Sequence, residues 1–141
     1  WAGSPRHGKD KWRSVEPEAF QPLIDARPDV QFYALQCGPR AHEAARLRDV
    51  IDLAPTIGDW TDTAQALAQL DLLISVDTAC VHLAGALGRP VWMLTPFSPD
   101  FRWLLEREDS PWYPTLRLFR KTSQDDWRPA LERIAGELRA L

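Results

Sequence analysis

The chain has 141 residues, of which 45% are apolar and 26% are charged, and its formal net charge is −3. This length and composition predict one globular domain with its own core and exclude a chain that is disordered throughout. The acidic balance provides no basic field for nucleic acid, and no apolar run approaches the roughly 20 residues that cross a bilayer.

A polar loop opens the chain, and alternating helix and strand patterns follow it. Residues 2–14 hold Gly3, Pro5, Gly8 and five basic side chains, counting His7, and this composition is typical of a loop. Helices are predicted at residues 16–27, 39–48, 61–70, 79–87 and 125–141, and strands at residues 30–35, 50–53, 72–76, 90–94 and 116–119. A further strand should precede the first loop, and we expect it to have been removed or to lie outside the sequence.

Local signals at the third strand and its flanking helices favour a parallel sheet. The continuous apolar run at residues 72–76 is typical of a strand that is covered on both faces. Thr61 or Asp62 suits the N-cap of the helix before it, and Gly88 suits the left-handed position just past the helix after it. The alternation of helix and strand predicts an α/β fold, a doubly wound, Rossmann-like parallel sheet with helices on both faces.

The turn after the third strand is the first candidate ligand site, because open parallel sheets bind ligands at the carboxyl ends of their strands. Asp77 and Thr78 lie between that strand and a helix whose first N–H groups and dipole favour a phosphate. The Thr78 hydroxyl can donate to a phosphate, His82 lies one turn further on, and Asp77 suits a helix cap or a sugar hydroxyl. The alternative is an ordinary helix cap beside a core histidine.

Two other loops are candidates at the same edge of the sheet. Lysine and arginine side chains at residues 6–13 would neutralise a diphosphate, although a solvated basic loop has the same composition. Gly38 allows close approach of the backbone to a ligand, and Gln36 could contact a base or ribose edge. A plain turn between strand and helix explains these two residues equally well.

Other chemistries lack their sequence motifs. The chain has neither the glycine-rich dinucleotide or P-loop motifs nor the nucleophile elbow of the hydrolases, and its three histidines show no metal spacing. Cys37 and Cys80 are interpreted as small buried residues. This cysteine usage suits a reducing compartment, and we expect a cytoplasmic protein.

Residues 75–91 carry a recognisable pattern: the end of a strand, Asp77-Thr78, His82 followed by Leu-Ala, and a Gly-Arg-Pro hinge. This pattern resembles the C-terminal domain of the heptosyltransferase-like glycosyltransferases of family nine. It is most similar to the form found at the C-terminus of bacterial tetratricopeptide-repeat glycosyltransferases. Residues 1–5, 11–14 and 96–114 are similar to the same group.

The resemblance implies a GT-B architecture, in which two Rossmann-like domains face a cleft and the C-terminal one holds a nucleoside-diphosphate sugar. Residues 1–141 would be that donor-binding domain, part of an inverting transferase that needs no bound metal or other cofactor. The diphosphate would lie on the helix that follows Asp77 and Thr78, and Lys11, or alternatively Lys9, would contact it. The candidate donor-binding residues are Lys11, Arg13, Asp77, Thr78, Ala79, His82, Lys9 and Gln36.

The resemblance also implies a missing N-terminal acceptor domain, where the base that activates the acceptor would lie, so no catalytic residue is assigned. The isolated chain is expected to bind donor weakly or not at all and to transfer little. Apolar residues of the last helix recur at alternating spacings of four and three, namely Trp127, Leu131, Ile134, Leu138 and Leu141. In GT-B folds this helix often crosses to the other domain, so part of its apolar stripe could be uncovered and promote self-association.

Two alternatives to a transferase domain stay open. The chain could be a non-catalytic binding or scaffolding module attached to repeats, or a nucleotide- or phosphate-binding fold from another class of enzyme. An intact acceptor domain in the full-length protein would favour the transferase. The sugar, the nucleotide base and the acceptor are not specified by the sequence.

Overall fold

The computed structural model describes all residues 1–141, and it has an α/β fold whose strands are all parallel. The strands are β1 (Phe32–Ala34), β2 (Val50–Asp52), β3 (Leu73–Val76), β4 (Val91–Thr95) and β5 (Leu116–Arg120). The α-helices are α1 (Asp10–Arg13), α2 (Gln21–Asp25), α3 (Trp60–Gln69), α4 (Ala79–Ala86) and α5 (Arg128–Arg139). Short 3₁₀ helices cover Pro17–Phe20, Gly38–Arg46, Ala54–Thr56 and Phe101–Trp103.

Hydrogen bonds divide the strands into two sheets. β1 pairs only with β2, whereas β3, β4 and β5 form a three-stranded sheet with β4 at its centre. The predicted α/β class with parallel strands is therefore confirmed, but β1 and β3 are not hydrogen-bonded to each other. Sequence patterns identify strands from their apolar runs and carry no information about which strand edges meet.

The three-stranded sheet has a core on each face, because successive side chains of a strand point to opposite sides. On one face, Val76, Leu94 and Phe119 pack against α2 and α5. On the other face, the residues that pack against α3 and α4 are Leu73, Val91, Met93, Leu116 and Leu118. The expected cover of helices on both faces is thus present for this sheet.

Helix boundaries agree with the predictions in part. Gly88 has φ 68° just past α4, as predicted for a residue at that position. The N-cap of α3 is Asp59, whose carboxylate accepts from the backbone of Thr61 and Asp62, so the predicted caps were wrong by two or three residues. Residues 39–48 were predicted as a helix and form a 3₁₀ helix, Gly38–Arg46, and the first loop contains the short helix α1.

The apolar stripe of α5 is buried. Leu131, Ile134 and Leu138 are each at most 6% exposed, and only Leu141, beyond the end of the helix, is exposed. A partly uncovered stripe was expected, and its exposure is confined to Leu141, because β5 and α2 pack against the rest. Self-association through this helix stays a prediction. No helix of the chain combines the length and the apolar character needed to span a membrane.

Candidate functional site

The turn between β3 and α4 places polar residues at the carboxyl end of a buried strand. β3 ends at Val76, which is fully buried, and α4 begins at Ala79, so Asp77 and Thr78 form the whole connection. Thr78 is the N-cap residue of α4, yet no side chain caps the helix. The N–H of Val81 donates to the main-chain oxygen of Thr78, so the N–H groups of Ala79 and Cys80 are the ones left for an external acceptor. The helix dipole adds partial positive charge there.

Asp77 is held from two sides. Its carboxylate accepts a hydrogen bond of 2.9 Å from the indole Nε1 of Trp103, and its main-chain oxygen accepts one of 3.1 Å from the guanidinium of Arg13. The Asp77 side chain is only 16% exposed. A side chain that is already engaged in this way is fixed in one orientation, so Asp77 shapes the turn and does not cap α4.

His82 lies one turn into α4 and faces the same carboxylate. Its Nε2 is 4.0 Å from an oxygen of Asp77, and its Nδ1 is 3.0 Å from the hydroxyl of Tyr113. The imidazole also stacks on the indole of Trp103, with 5.3 Å between ring centroids. If Tyr113 donates to Nδ1, the remaining imidazole proton is on Nε2, which faces Asp77.

Trp103 and Tyr113 were not among the predicted site residues, because they reach the turn from a loop 26 and 31 residues further along the chain. Trp103 ends a short 3₁₀ helix that begins beside Asp100, and it is fully buried among the side chains of β4 and β5. Tyr113 packs directly on α4, where a Cβ on Gly85 would lie 2.5 Å from its ring. The absence of a side chain at Gly85 therefore makes room for the tyrosine that contacts His82.

Arg13 links the first loop to the β3–α4 turn. The loop is closed at its base by hydrogen bonds from Val15 to the main-chain oxygen of Trp1 and from Gly3 to Ser14. A Cβ on Gly3 would lie 2.2 Å from the Arg13 guanidinium, which occupies that space. The Nε of Arg13 is buried without a hydrogen-bond partner, although the Asp10 carboxylate is 3.5 Å away.

The two lysines of the first loop carry charge that the chain does not neutralise. Lys9 and Lys11 are exposed, and neither forms an ion pair within the chain. The ammonium group of Lys11 lies 5.1 Å from the centre of the Trp12 ring. Burial opposes ionisation of Asp100, yet hydrogen bonds from Arg102, together with the charges of Arg102 and Lys9, lower its pKa.

The structure brings together some of the predicted site residues and leaves others apart. Arg13, Asp77 and His82 form one connected cluster, with Thr78 and the exposed Ala79 within the same turn. Gln36 makes no hydrogen bond with this cluster. Its amide oxygen accepts from the backbone of Ala2 and its amide nitrogen donates to Cys37, so both ends of the side chain are engaged.

The cysteines provide no evident reactive site. Cys80 is half-buried and Cys37 is exposed, so neither is the buried residue that was expected. Burial raises the pKa of both thiols, and this favours the neutral form that is a poor nucleophile. Histidine, cysteine and carboxylate side chains do not group anywhere in the chain in a set of three or more that could hold a metal ion.

Comparison with known proteins agrees with this architecture. Residues 17–100 match the family model of glycosyltransferase family 9 (heptosyltransferase). The chain is also similar to Protein FlbA of Caulobacter vibrioides, with 36% identity over 130 residues that cover 85% of the chain and 21% of FlbA. The chain thus spans about a fifth of the length of this relative. No solved structure matches it.

The matched region contains α2, β1, β2, α3, β3, α4 and β4, and so includes the β3–α4 turn. It covers more than half of the chain, and it ends at Asp100, three residues before Trp103. The chain therefore belongs to glycosyltransferase family 9, the heptosyltransferase family.

Proposed function

We propose that this chain is the donor-binding domain of an inverting, metal-independent glycosyltransferase that uses a nucleoside-diphosphate sugar. Membership of family 9 supports sugar transfer as the class of reaction. The observation that carries the finer proposal is the uncapped N-terminus of α4, with Arg13 and His82 on either side of Asp77. An anion such as a diphosphate is the ligand that such a site favours.

In this proposal the diphosphate lies on the first turn of α4. The amides of Ala79 and Cys80 and the hydroxyl of Thr78 donate to its oxygens. Thr78 is suited to this role because its hydroxyl, 3.4 Å from that of Ser75, does not cap the helix. Arg13 has five N–H donors and uses one of them on Asp77, so others remain for a phosphate.

Positive charge replaces a metal ion in the proposed mechanism. The departing nucleoside diphosphate gains negative charge as its bond to the sugar breaks, and cationic side chains and the dipole of α4 stabilise that charge. Lys11 is the proposed phosphate contact on the first loop, and Lys9 is the alternative. Neither is engaged in an ion pair within the chain, so no internal salt bridge has to break before a phosphate binds.

The acceptor and the base that activates it are proposed to belong to an N-terminal domain outside this chain, in a longer polypeptide with tetratricopeptide repeats. A surface for such a domain is available next to the site. The loop that carries Trp103 exposes large apolar side chains, namely Phe97, Phe101, Leu104, Leu105 and Trp112. Exposed apolar groups of this kind mark interaction surfaces, and a scaffolding module would use the same surface for its partner.

A nucleotide titration tests the proposal. UDP, ADP and GDP are added in turn to the ¹⁵N-labelled chain, and the amide signals of residues 6–13 and 77–82 are followed. We expect one nucleotide to shift both segments together. Lys11→Ala and Thr78→Ala should each weaken its binding about ten- to a hundredfold, the effect of losing one hydrogen bond to a charged group.

Arg139→Ala is the matched control for lost charge, because Arg139 is exposed in the last turn of α5, outside the site. This variant should bind like the unaltered chain. A nucleotide that shifts only one of the two segments would contradict the shared site. No shift with any nucleotide at millimolar concentration would favour the non-catalytic scaffolding module.

A further inference from the structure

Tyr113 is a polar side chain beside the β3–α4 turn that the proposed function leaves without a role. It lies beyond residues 17–100, the part of the chain that matches the family model. Its hydroxyl is 3.0 Å from Nδ1 of His82, and this is the one hydrogen bond that the hydroxyl makes in the chain. The contact connects the loop between β4 and β5 with a histidine that the sequence predicts to bind the donor.

The direction of this hydrogen bond follows from the surroundings of the imidazole. A neutral histidine carries one ring proton, so one nitrogen donates and the other accepts. Nε2 is 4.0 Å from Oδ1 of Asp77, and an ionised carboxylate can only accept. A lone pair on Nε2 would face that negative charge, whereas a proton on Nε2 is attracted to it. The proton therefore belongs on Nε2, and Tyr113 donates to Nδ1.

Trp103 restricts the same imidazole from another side. Its ring is stacked on that of His82 with an angle of 27° between the two planes. Its indole N–H donates to Oδ2 of Asp77, so Oδ1, the oxygen nearest to His82, accepts no hydrogen bond from the chain. A separation of 4.0 Å is too long for a hydrogen bond between Nε2 and Oδ1. Both atoms therefore stay open to a ligand.

Tyr113 itself is held firmly in place. Its N–H donates to the hydroxyl of Ser110 over 3.3 Å, and its main-chain oxygen accepts from the N–H of Leu116, the first residue of β5, over 3.1 Å. Its ring fills the space that a side chain on Gly85 of α4 would occupy. β5 and α4 thus fix the position of the tyrosine, and a side chain supported by rigid elements can hold a neighbour in one geometry.

We propose that Tyr113 is a positioning residue of the donor site, which fixes His82 as an Nε2 hydrogen-bond donor aimed at the bound ligand. This inference rests on the proposed function, because it requires a donor at the turn between β3 and α4. An imidazole without such a partner exchanges between tautomers and ring orientations, and a ligand then has to select one of them. The hydroxyl of Tyr113 makes that selection in advance, which lowers the cost of ordering the site when the ligand binds.

The imidazole nitrogens of His82 test the first part of the proposal without any nucleotide. Their ¹⁵N shifts, measured at mildly alkaline pH, distinguish a protonated from an unprotonated nitrogen. We expect a protonated Nε2 and an unprotonated Nδ1, whose signal shifts in Tyr113→Phe because its hydrogen bond is lost. Tyr33→Phe is the matched control, since Tyr33 is 40% exposed and belongs to the other sheet. A proton on Nδ1 in the unaltered chain would overturn the proposal.

A double-mutant cycle tests whether Tyr113 acts through His82. The affinity for whichever of UDP, ADP and GDP binds is measured for the unaltered chain, Tyr113→Phe, His82→Ala and the double variant. We expect Tyr113→Phe to weaken binding about three- to tenfold, the effect of ordering one more side chain. Once His82 is replaced, Tyr113→Phe should have no further effect. Equal weakening in both backgrounds would contradict the proposal, because Tyr113 would then act on the ligand or on the fold without His82.

The failure of this inference and the failure of the proposed function give different results. If none of the three nucleotides binds the unaltered chain, the donor site fails and the positioning role fails with it. If one nucleotide shifts residues 77–82 but Tyr113→Phe binds it as tightly as Tyr33→Phe does, the donor site stands and the positioning role alone is lost. Urea unfolding of Tyr113→Phe verifies that the variant is folded, so that a weakened affinity does not arise from unfolding.

Discussion

The two sheets of this molecule differ in how completely they are enclosed. In the three-stranded half, made of β3, β4 and β5 with α3, α4 and α5, Val76, Val91 and Phe119 are fully buried. In the two-stranded half, made of β1 and β2 with the 3₁₀ helix Gly38–Arg46, Tyr33 is 40% and Ile51 is 46% exposed. The cluster around Asp77 is anchored in the enclosed half, whereas the open half lines a cavity of about 1520 Å³. Side chains can therefore be fixed at the edge of one sheet although the neighbouring sheet is open.

The largest loss of stability is expected for Trp103→Ala in the three-stranded half. This indole is fully buried, and its loss leaves a cavity in the core and removes the hydrogen bond to Asp77. We expect the free energy of unfolding, measured by urea denaturation, to fall by about 3–5 kcal/mol. Trp112→Ala is the control, because Trp112 is 62% exposed, and it should change stability little. Similar losses in the two variants would show that the Trp103 loop is not part of the core.

The free energy of unfolding of a chain that begins at Trp1 is expected to depend on pH. The buried amine of Trp1 has a pKa of about 6 in the folded chain and an unperturbed value of 8.0. Between these values the unfolded chain binds more protons, so stability rises from pH 6 to pH 8 and is lost as the pH falls back through 6. The free energy of unfolding should change by about 2–3 kcal/mol at most, since one pKa unit corresponds to about 1.4 kcal/mol.

Urea unfolding at several pH values measures this dependence, and the N-terminally acetylated chain is the control. Acetylation converts the amine into an amide, so this contribution to the slope between pH 6 and pH 8 should disappear. If the acetylated chain kept the same slope, the Trp1 amine would not be responsible for it.

Gly85→Ala tests the contact between α4 and the Trp103 loop. The added methyl group would lie 2.5 Å from the ring of Tyr113, which has to move and loses its hydrogen bond to His82. We expect a loss of about 1–3 kcal/mol in the free energy of unfolding and a changed imidazole ¹⁵N shift of His82. Gly136→Ala on α5 is the matched control, because its added methyl group meets nothing within 4 Å. This control should stabilise the chain by about 0.5–1 kcal/mol, and a loss of stability in it equal to that of Gly85→Ala would refute the steric explanation.

The smallest loss of stability is expected for Ile51→Ala in the two-stranded half. Ile51 is 46% exposed, so we expect the free energy of unfolding to change by no more than about 0.5 kcal/mol. The same substitution at the fully buried Ile134 should lower the free energy of unfolding by about 2–5 kcal/mol. Urea unfolding of both variants measures the contrast between the halves directly. If Ile51→Ala and Ile134→Ala lowered the free energy of unfolding equally, the two-stranded half would be more enclosed in solution than the exposure of Ile51 indicates.

The sequence predicted the order of the elements well, because apolar runs, prolines and glycines act locally. Gly88 and the apolar run at residues 72–76 are examples, and each lies where it was predicted. The division into two sheets and the contacts of Trp103 and Tyr113 with the site could not be predicted in the same way. They depend on residues far apart in the chain, and periodicity contains no information about such pairs.

The residues predicted to bind the donor differ in the same way. Thr78 and Ala79 follow from their place after a buried strand, which a local pattern reveals. Gln36 was selected for its place after β1, but its side chain is engaged by the backbone of Ala2, a contact that only the folded chain shows. Its role in binding a nucleotide stays a prediction, as do the roles of Lys9 and Lys11.

Gly3 influences the electrostatics of the site although it carries no charge. The Arg13 guanidinium occupies the space where any other residue at this position would place its Cβ. A single methyl group there would displace the cation from the carbonyl of Asp77 without removing a single charged residue from the chain. Variants that change the electric field around Asp77 at constant net charge can therefore be made at an uncharged position. Substitutions restricted to lysines and arginines would miss this position.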